Sequence, residues 1–334
     1  MDTKSKPTVL DLFCGAGGFS CGFEQAGFEI LAGLDKNEAA LETYSQNHDA
    51  EGYKINLREL TPEEVFDELG LRPRDVDVVI GGPPCQGHSP QGKQNPDDER
   101  NELMGDYLSI IDYASPRAFV MENVSEIQDT WDGEFIQQVI DRVEEMGYNL
   151  TSGVLHGGDY HVPQTRDRFI LVGLRDGVPT IPEPVGGDPI PVWAALSGLP
   201  LMDHLPNNDW EKQLEAHRDG FREKYDAADV GADPYANSDQ QVRLAPMRPA
   251  RTVVADNSHC HPTQPRYLTV REAACLQTFP LEYRFYGGVV KQREQVGNAV
   301  PPKMAKYIAE EVRESLTNVT GQTTLTDHGF ALSD

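Results

Sequence analysis

From Thr8 onward the chain repeats one pattern: a short apolar run, a polar or glycine-rich turn, then apolar residues at helical spacing. Thr8 to Phe13 is the first such run, and it passes through Gly15, Gly17 and Gly18 into Phe19, Phe23 and Ala26. A strand at Glu29 to Leu34, a helix at Asn37 to Asn47, a helix opened by Thr61-Pro62-Glu63-Glu64 and a buried strand at Val76 to Ile80 continue the series. Arg117 to Met121 and Phe169 to Val172 supply further strands. Strands alternating with helices predict an α/β fold, a largely parallel sheet covered on both faces.

After Gly173 the texture changes. Pro179, Pro182, Pro184, Pro189, Pro191, Pro200 and Pro206 arrive among glycines, which excludes long regular helices. A chain of 334 residues has room for two domains at about 150 residues each. The expected organisation is a catalytic and cofactor-binding domain over 1–176, a smaller, irregular, mostly β domain over 177–290, a segment 291–316 returning to the first domain, and a flexible tail over 317–334. The returning segment carries a helix, Lys303 to Leu316, with Met304, Ile308 and Val312 on one face.

No apolar run approaches the ~20 residues that span a bilayer, and Met1 to Lys6 lack the apolar stretch of a secretion signal, so a cytoplasmic location without membrane contact is expected. Cys14, Cys21, Cys85, Cys260 and Cys275 are scattered without a CxxC pair, and reduced thiols follow. His259-Cys260-His261 has adjacent rather than knuckle spacing and reads as a polar loop; no metal is assigned.

Acidic residues number 54 against 29 Lys and Arg, a net charge of −25, and of the cations 19 are Arg and 10 Lys. Such a charge argues at first against a polyanionic partner. In molar salt, however, the screening length falls to about 3 Å and the repulsion vanishes at a distance. An acid-rich, Lys-poor surface of this kind leads us to expect a halophilic prokaryote as the source. The sign also varies locally: residues 201–240 carry four Lys/Arg and ten Asp/Glu, whereas 241–300 carry eight and four.

Four segments carry chemistry. Asp11-Leu12-Phe13-Cys14-Gly15-Ala16-Gly17-Gly18-Phe19 joins a strand to a helix through glycines that let a ligand approach the backbone, and Asp35 ends the next strand, where a carboxylate can accept both ribose hydroxyls. A nucleoside cofactor is implied; by itself this segment fits a dinucleotide nearly as well as S-adenosylmethionine. Gly81-Gly82-Pro83-Pro84-Cys85-Gln86 leaves a strand on the same carboxyl edge, so Cys85 is a nucleophile candidate facing that cofactor. Met121-Glu122-Asn123-Val124 ends another strand and places Glu122 there as a candidate proton donor. Gln164-Thr165-Arg166-Asp167-Arg168 leads into a strand, and alternation sends Arg166 and Arg168 to one side, suited to a carbonyl, a carboxylate or phosphates.

In this order, these segments resemble the cytosine-C5 DNA methyltransferase family. Arg266 to Pro280 and Gly297-Asn298-Ala299-Val300-Pro301-Pro302 are similar to its last two motifs, and the likeness spans about residues 8–315. The resemblance implies S-adenosylmethionine as cofactor, held by Phe13, Gly15, Ala16, Gly17, Gly18, Phe19, Asp35, Asn56, Pro83, Leu103, Asn298 and Ala299. It implies that Cys85 adds to cytosine C6, that Glu122 supports N3 and N4, and that Arg168 contacts O2 with Arg166 close by. The partner is double-stranded DNA with the target base flipped out, and the resemblance leaves room for a cognate restriction endonuclease acting on the same site. Gly87 to Arg100 reads as a mobile loop that closes over DNA behind Cys85. Gln86, Ser89, Arg100, Arg243, Arg248 and Arg251 are the candidate DNA contacts.

The chain departs from the family's pattern at Asn56, where an aspartate is frequent, at Lys36, where an apolar or aromatic residue commonly covers the adenine, and at His88, where an aromatic is frequent. One branch of the family modifies transfer RNA and carries a Cys-Phe-Thr signature; this sequence has none, which favours DNA. An NAD-dependent oxidoreductase on the same glycine turn would leave the Cys85, Glu122 and Asn298 segments without a role.

The charge pattern predicts that the protein loses structure in low salt and regains it in multimolar KCl, as read by circular dichroism and solubility. Full stability without salt would count against a halophilic source.

Overall fold

A computed structural model describes residues 6–84, 99–199, 204–208, 225, 242–255 and 259–325, with backbone alone for 99–101, 242 and 318–325. The order is β1 (Thr8–Leu12), α1 (Gly18–Gln25), β2 (Glu29–Asp35), α2 (Glu38–Asn47), β3 (Glu51–Lys54), α3 (Pro62–Leu69), β4 (Val78–Gly81), α4 (Glu99–Ala114), β5 (Ala118–Val124), α5 (Glu134–Glu145), β6 (Asn149–His156) and β7 (Asp167–Leu174). There follow α6 (Val192–Leu196), β8 (Val242–Arg243), β9 (His259–Cys260), α7 (Val270–Leu276), α8 (Val289–Asn298) and α9 (Pro302–Leu325).

Seven strands form one sheet in the order β3-β2-β1-β4-β5-β7-β6. Alternate side chains serve opposite faces. Val9, Val78, Ile80, Val120, Ile170 and Val172 meet Phe19 and Phe23 of α1, Tyr44 of α2, and Met304, Ile308 and Val312 of α9. Leu10, Leu12, Val79, Phe119, Met121, Phe169 and Leu171 meet Phe66 of α3, Tyr107 and Ile111 of α4, and Val139 and Val143 of α5. Both faces are therefore dry, as the unbroken apolar runs require.

Pairings among β1 to β5 are parallel, but β7 is antiparallel to both β5 and β6. The expected, largely parallel sheet thus contains one reversed strand. Its cause is local: β6 reaches β7 through a single 3-10 turn, Gly157–Tyr160, with no helical crossover, and a link of that kind joins antiparallel neighbours. The two strands that hydropathy did not reveal, β3 and β6, are the two edges of the sheet, where burial is partial and no apolar run is needed.

The proline-rich segment does not leave the sheet at once. Tyr160 Oη donates to Pro182 O at 2.7 Å, and Val185 N donates to Asp159 O at 3.0 Å. Helix α9 continues to Leu325, past the Leu316 expected from the sequence. No helix among the described residues is long and apolar enough to cross a membrane.

Among the described residues the smaller lobe is irregular, with two-residue strands β8 and β9 paired in parallel and helices α6 and α7. Its apolar cluster includes Val192, Leu244, Leu268, Phe279, Tyr283 and Phe285, and it takes in Ala16 and Cys21 from the glycine turn and α1. Two buried cations organise it. Arg271 donates to Pro206 O and Pro280 O, each at 3.0 Å, and to Tyr283 O. Arg266 grips Glu272 with two bonds of 2.7 Å, while Glu272 also closes a capping box with Thr269 at the start of α7.

Burial works to raise the Glu272 carboxyl, but the bonds and charge of Arg266, with His261 and Thr269 adding to them, hold it below the ordinary glutamate value of 4.5. A depressed folded value means that stability is present above the unfolded value and drains away as the pH falls through the folded one. The smaller lobe should therefore loosen below about pH 4.5. Arg266→Met, which strands Glu272 as a buried unpaired charge, should cost about 3–5 kcal/mol in urea unfolding at neutral pH.

Candidate active site

The carboxyl ends of β1, β2, β4 and β5 open into one cavity of about 420 Å³. Phe13, Gly15, Ala16, Gly18 and Phe19 form one wall, Asp35, Lys36 and Asn37 the next, and Ile55, Asn56 and Leu57 the third. Pro83, Pro84 and Leu103 also line it, with Asn298 at the end of α8 and Ala299 and Val300 just after it, and Glu122, Arg166 and Arg168 line it from the β5–β7 side of the sheet. Apolar walls with a few placed polar groups suit a nucleoside ligand.

The polar groups are arranged for one. Asp35 Oδ2 accepts Gly15 N–H at 2.9 Å and Oδ1 accepts Asn37 N–H at 2.9 Å. These bonds fix the carboxylate and leave a lone pair on each oxygen for a pair of hydroxyls. Burial raises its pKa, and the two backbone bonds oppose that rise. Gly15 has φ +53°, and a Cβ there would meet nothing, so the space over the turn is open to a ligand. Asn56 donates from Nδ2 to Glu59 Oε1 at 2.7 Å, and its Oδ1, which accepts Arg58 N–H at 3.4 Å, keeps one lone pair for a ligand. Every sequence-predicted cofactor residue borders the cavity except Gly17, which faces the opposite way, against His48 and Tyr283.

On that side the reversed strand matters. Because β7 runs against β5, its first residues lie beside the last residues of β5, with Arg168 opposite Val124 and Ile170 opposite Glu122. Arg168 Nε donates to Glu122 Oε1 at 2.7 Å, with both side chains largely buried, and its Nη1 donates to Asp167 O at 2.6 Å. The other oxygen, Oε2, abuts the backbone at Gly82, where an added Cβ would lie 3.0 Å away. Asn123, not among the expected site residues, ties the loop after β4 to β5: its Nδ2 donates to Pro83 O at 2.9 Å. Cys85 follows directly on Pro84; Cys85, Gln86, His88 and Ser89 lie outside the described residues, as does the side chain of Arg100, whose backbone is in the first turn of α4.

Arg166 is bonded to backbone carbonyls. It borders the same cavity, but Nη1 donates to Val253 O and Nη2 to Ala299 O, each at 3.0 Å, so its fork ties the smaller lobe to the cavity wall. Burial, reinforced by the like charge of Arg168, pushes its guanidinium well below the ordinary arginine value. Two residues earlier, buried Gln164 accepts Val253 N–H at 2.9 Å and donates to Leu276 O and to Gln277 Oε1, each at 2.8 Å. Gln277 donates in turn to Val296 O at 2.6 Å. Neither glutamine was assigned a role from the sequence; Gln277 stands among mostly apolar neighbours, a signal of a buried amide, whereas Gln164 opens a polar run that gives no such sign.

Of the candidate DNA contacts, Arg243 is engaged within the smaller lobe, donating to Pro262 O at 3.1 Å with its guanidinium 4.5 Å from the centre of the Tyr225 ring. Arg248 is exposed on a turn beside exposed Met247, and Arg251 is half-buried.

The family described as C-5 cytosine-specific DNA methylase matches residues 7–314. A type II methyltransferase of Haemophilus parahaemolyticus is 35% identical, the match covering 93% of this chain and 88% of that protein. One of Xanthomonas oryzae pv. oryzae is 31% identical, covering 93% and 86%. Among solved structures, a putative DNA modification methyltransferase encoded within an E. coli prophage superposes with a TM-score of 0.77 at 26% identity, covering 93% of this chain and 100% of that one. The Dnmt2 methyltransferase of S. pombe shares the fold, with a TM-score of 0.69 at 19% identity over 93% and 100%. The family match spans nearly the whole chain, and the chain belongs to the C-5 cytosine-specific DNA methylase family.

Proposed function

We propose that this DNA cytosine-C5 methyltransferase acts on a cytosine flipped out of double-stranded DNA at a short specific word, with Cys85 as nucleophile. The observation that carries the reading is the Arg168–Glu122 pair, set in the cavity wall beside the loop that leads into Cys85. S-adenosylmethionine, cradled by the Phe13 to Phe19 turn, Asp35, Asn56 and Ala299, supplies an electrophilic methyl group to C5 when bound.

The residues then divide the work. Cytosine C5 is a poor nucleophile, so the Cys85 thiolate adds to C6 and pushes electron density onto the ring. Glu122, steadied by Arg168 through Oε1, presents Oε2 to N3 and N4 and delivers the proton that N3 gains as charge builds. Arg168 keeps Nη2 for the O2 carbonyl. Once C5 carries the methyl group, solvent water takes the C5 proton, its electron pair re-forms the C5–C6 double bond as the Cys85 thiolate leaves C6, and N3 returns its proton to Glu122. Arg166 acts at one remove, holding the Ala299 carbonyl and the smaller lobe in place.

The region 177–290 is assigned to target recognition, and its basic stretch after residue 240 answers the objection raised by the overall charge. Arg248, an exposed cation there, is the one we take to meet phosphates. A cognate nuclease on the same site and a halophilic, cytoplasmic setting complete the proposal. The absence of a Cys-Phe-Thr signature favours DNA over transfer RNA.

With a tritiated methyl donor in high salt, plasmid DNA should take label at one short word, mapped by bisulfite sequencing, and transfer RNA should take none. Cys85→Ser should abolish labelling, and Glu122→Gln should slow it roughly 100-fold or more. Label in the RNA alone would transfer the assignment to that polymer; an active Cys85→Ser protein would end the covalent mechanism. Arg248→Ala should leave cofactor binding unchanged and weaken DNA binding with a shallower salt dependence.

A further inference from the structure

On the side of the glycine turn away from the cavity runs a chain of hydrogen bonds that methyl transfer does not use. Glu24 Oε2 of α1 lies 2.8 Å from His48 Nδ1, just past α2. His48 Nε2 lies 2.8 Å from the Tyr283 hydroxyl of the smaller lobe, and that hydroxyl donates to the carbonyl of Ala16. The His48 side chain is wholly buried and Glu24 is one-third exposed. Gly17, with φ +85°, lies directly against this chain: a Cβ there would run into His48 Nε2 and the Tyr283 hydroxyl. The left-handed backbone and these two side chains together account for the glycine at this position.

Counting protons shows how the chain is polarised. A carbonyl has no hydrogen to give, so the single phenolic proton of Tyr283 goes to Ala16. The bond between Tyr283 and His48 then needs a hydrogen on Nε2. Nδ1 faces a carboxyl oxygen, and that contact needs a further proton, carried either by Nδ1 or by Glu24. The chain is complete only while the His48–Glu24 pair holds one proton more than a neutral imidazole beside a carboxylate.

Ala16 borders the donor cavity, and its neighbour Gly15 donates to Asp35, so the turn and the ribose-type acceptor move together. Tyr283 in turn is packed among Phe279 and Phe285 of the smaller lobe. We infer that His48 and Tyr283 are positioning residues for the methyl-donor turn, and that the one proton shared between His48 and Glu24 makes donor affinity fall as the pH rises. The inference rests on the donor-site reading above.

Other ionisable groups face this chain. Cys21 stands beside Glu24 on α1, and Asp11 and Cys14 lie on the β1 side. On α2, the Tyr44 ring is centred 4.5 Å from that of His48. Tyr44 and Asp11 belong to a separate chain through Ser20, with distances of 2.9 and 2.6 Å. Burial raises Asp11 to about 7, so Asp11 titrates in the same experiment and must be separated from the pair. Variants of His48 and Tyr283 make that separation, because neither side chain is hydrogen-bonded to Asp11, Ser20 or Tyr44.

The test is calorimetric titration of S-adenosylhomocysteine between pH 6 and 9.5 onto the native chain, Tyr283→Phe and His48→Gln. The glutamine amide can still donate to Tyr283 but does not titrate. Native affinity should fall toward alkaline pH. Tyr283→Phe should bind about tenfold more weakly at pH 6.5 and lose most of the alkaline fall. His48→Gln should stay within about threefold of native at pH 6.5 and be flatter above it. Native affinity in Tyr283→Phe, or one pH profile shared by native and His48→Gln, would overturn the inference; should Tyr283→Phe fail to fold, the His48→Gln profile decides. A native chain that binds no S-adenosylhomocysteine at any pH would overturn the donor-site reading and this inference with it.

Discussion

The bond between Arg168 and Glu122 exists because one strand runs backwards. Had β7 been parallel to β5, its opening residues would lie at the far edge of the sheet, and no guanidinium from this segment could reach the acid. Reversal brings Arg168 level with Val124, and Nε then reaches Glu122 Oε1 at 2.7 Å. A pair held so far from water is sensitive to the loss of either member, by about 3–5 kcal/mol in comparable sites. It also fixes which carboxyl oxygen is held and which is left to face Gly82 and the loop toward Cys85.

The rest of the site is built outward from that edge by backbone-directed amides and cations. Asn123 holds Pro83, Gln164 and Arg166 hold Val253, and Arg166 also holds Ala299. Each joins a sheet strand, or the approach to one, to a loop that has no regular structure of its own. This division explains how an irregular, proline-rich lobe can serve a reaction that needs accurate geometry: its loops are bonded to strands of the sheet.

The central strands were legible because burial on both faces demands apolar runs, and a residue that ends such a run, Asp35 or Glu122, must lie at the carboxyl edge. Edge strands β3 and β6 carried no such demand and left little trace. Strand direction is invisible to hydropathy, since a reversed strand alternates in the same way, so β7 could be found but not oriented. The different fates of Arg166 and Arg168 were equally hidden. Alternation sends both toward the same cavity, and only the carbonyls of Val253 and Ala299, brought from distant sequence, separate the brace from the group free to act. Gly17 was read as space for a ligand, whereas the atoms that crowd it belong to His48 and to Tyr283, the latter 235 residues from His48 along the chain.

The most direct measurement is the rate at which DNA carrying 5-fluorocytosine at the methylated word becomes covalently attached to the protein, since fluorine at C5 cannot leave as a proton does and the adduct persists. With the methyl donor present, the native chain should trap the DNA stoichiometrically. Arg168→Met should trap it at least ~100-fold more slowly while still binding S-adenosylhomocysteine. Equal rates would show that the Arg168–Glu122 pair does not promote the addition, and no adduct with the native chain would contradict the account at its root.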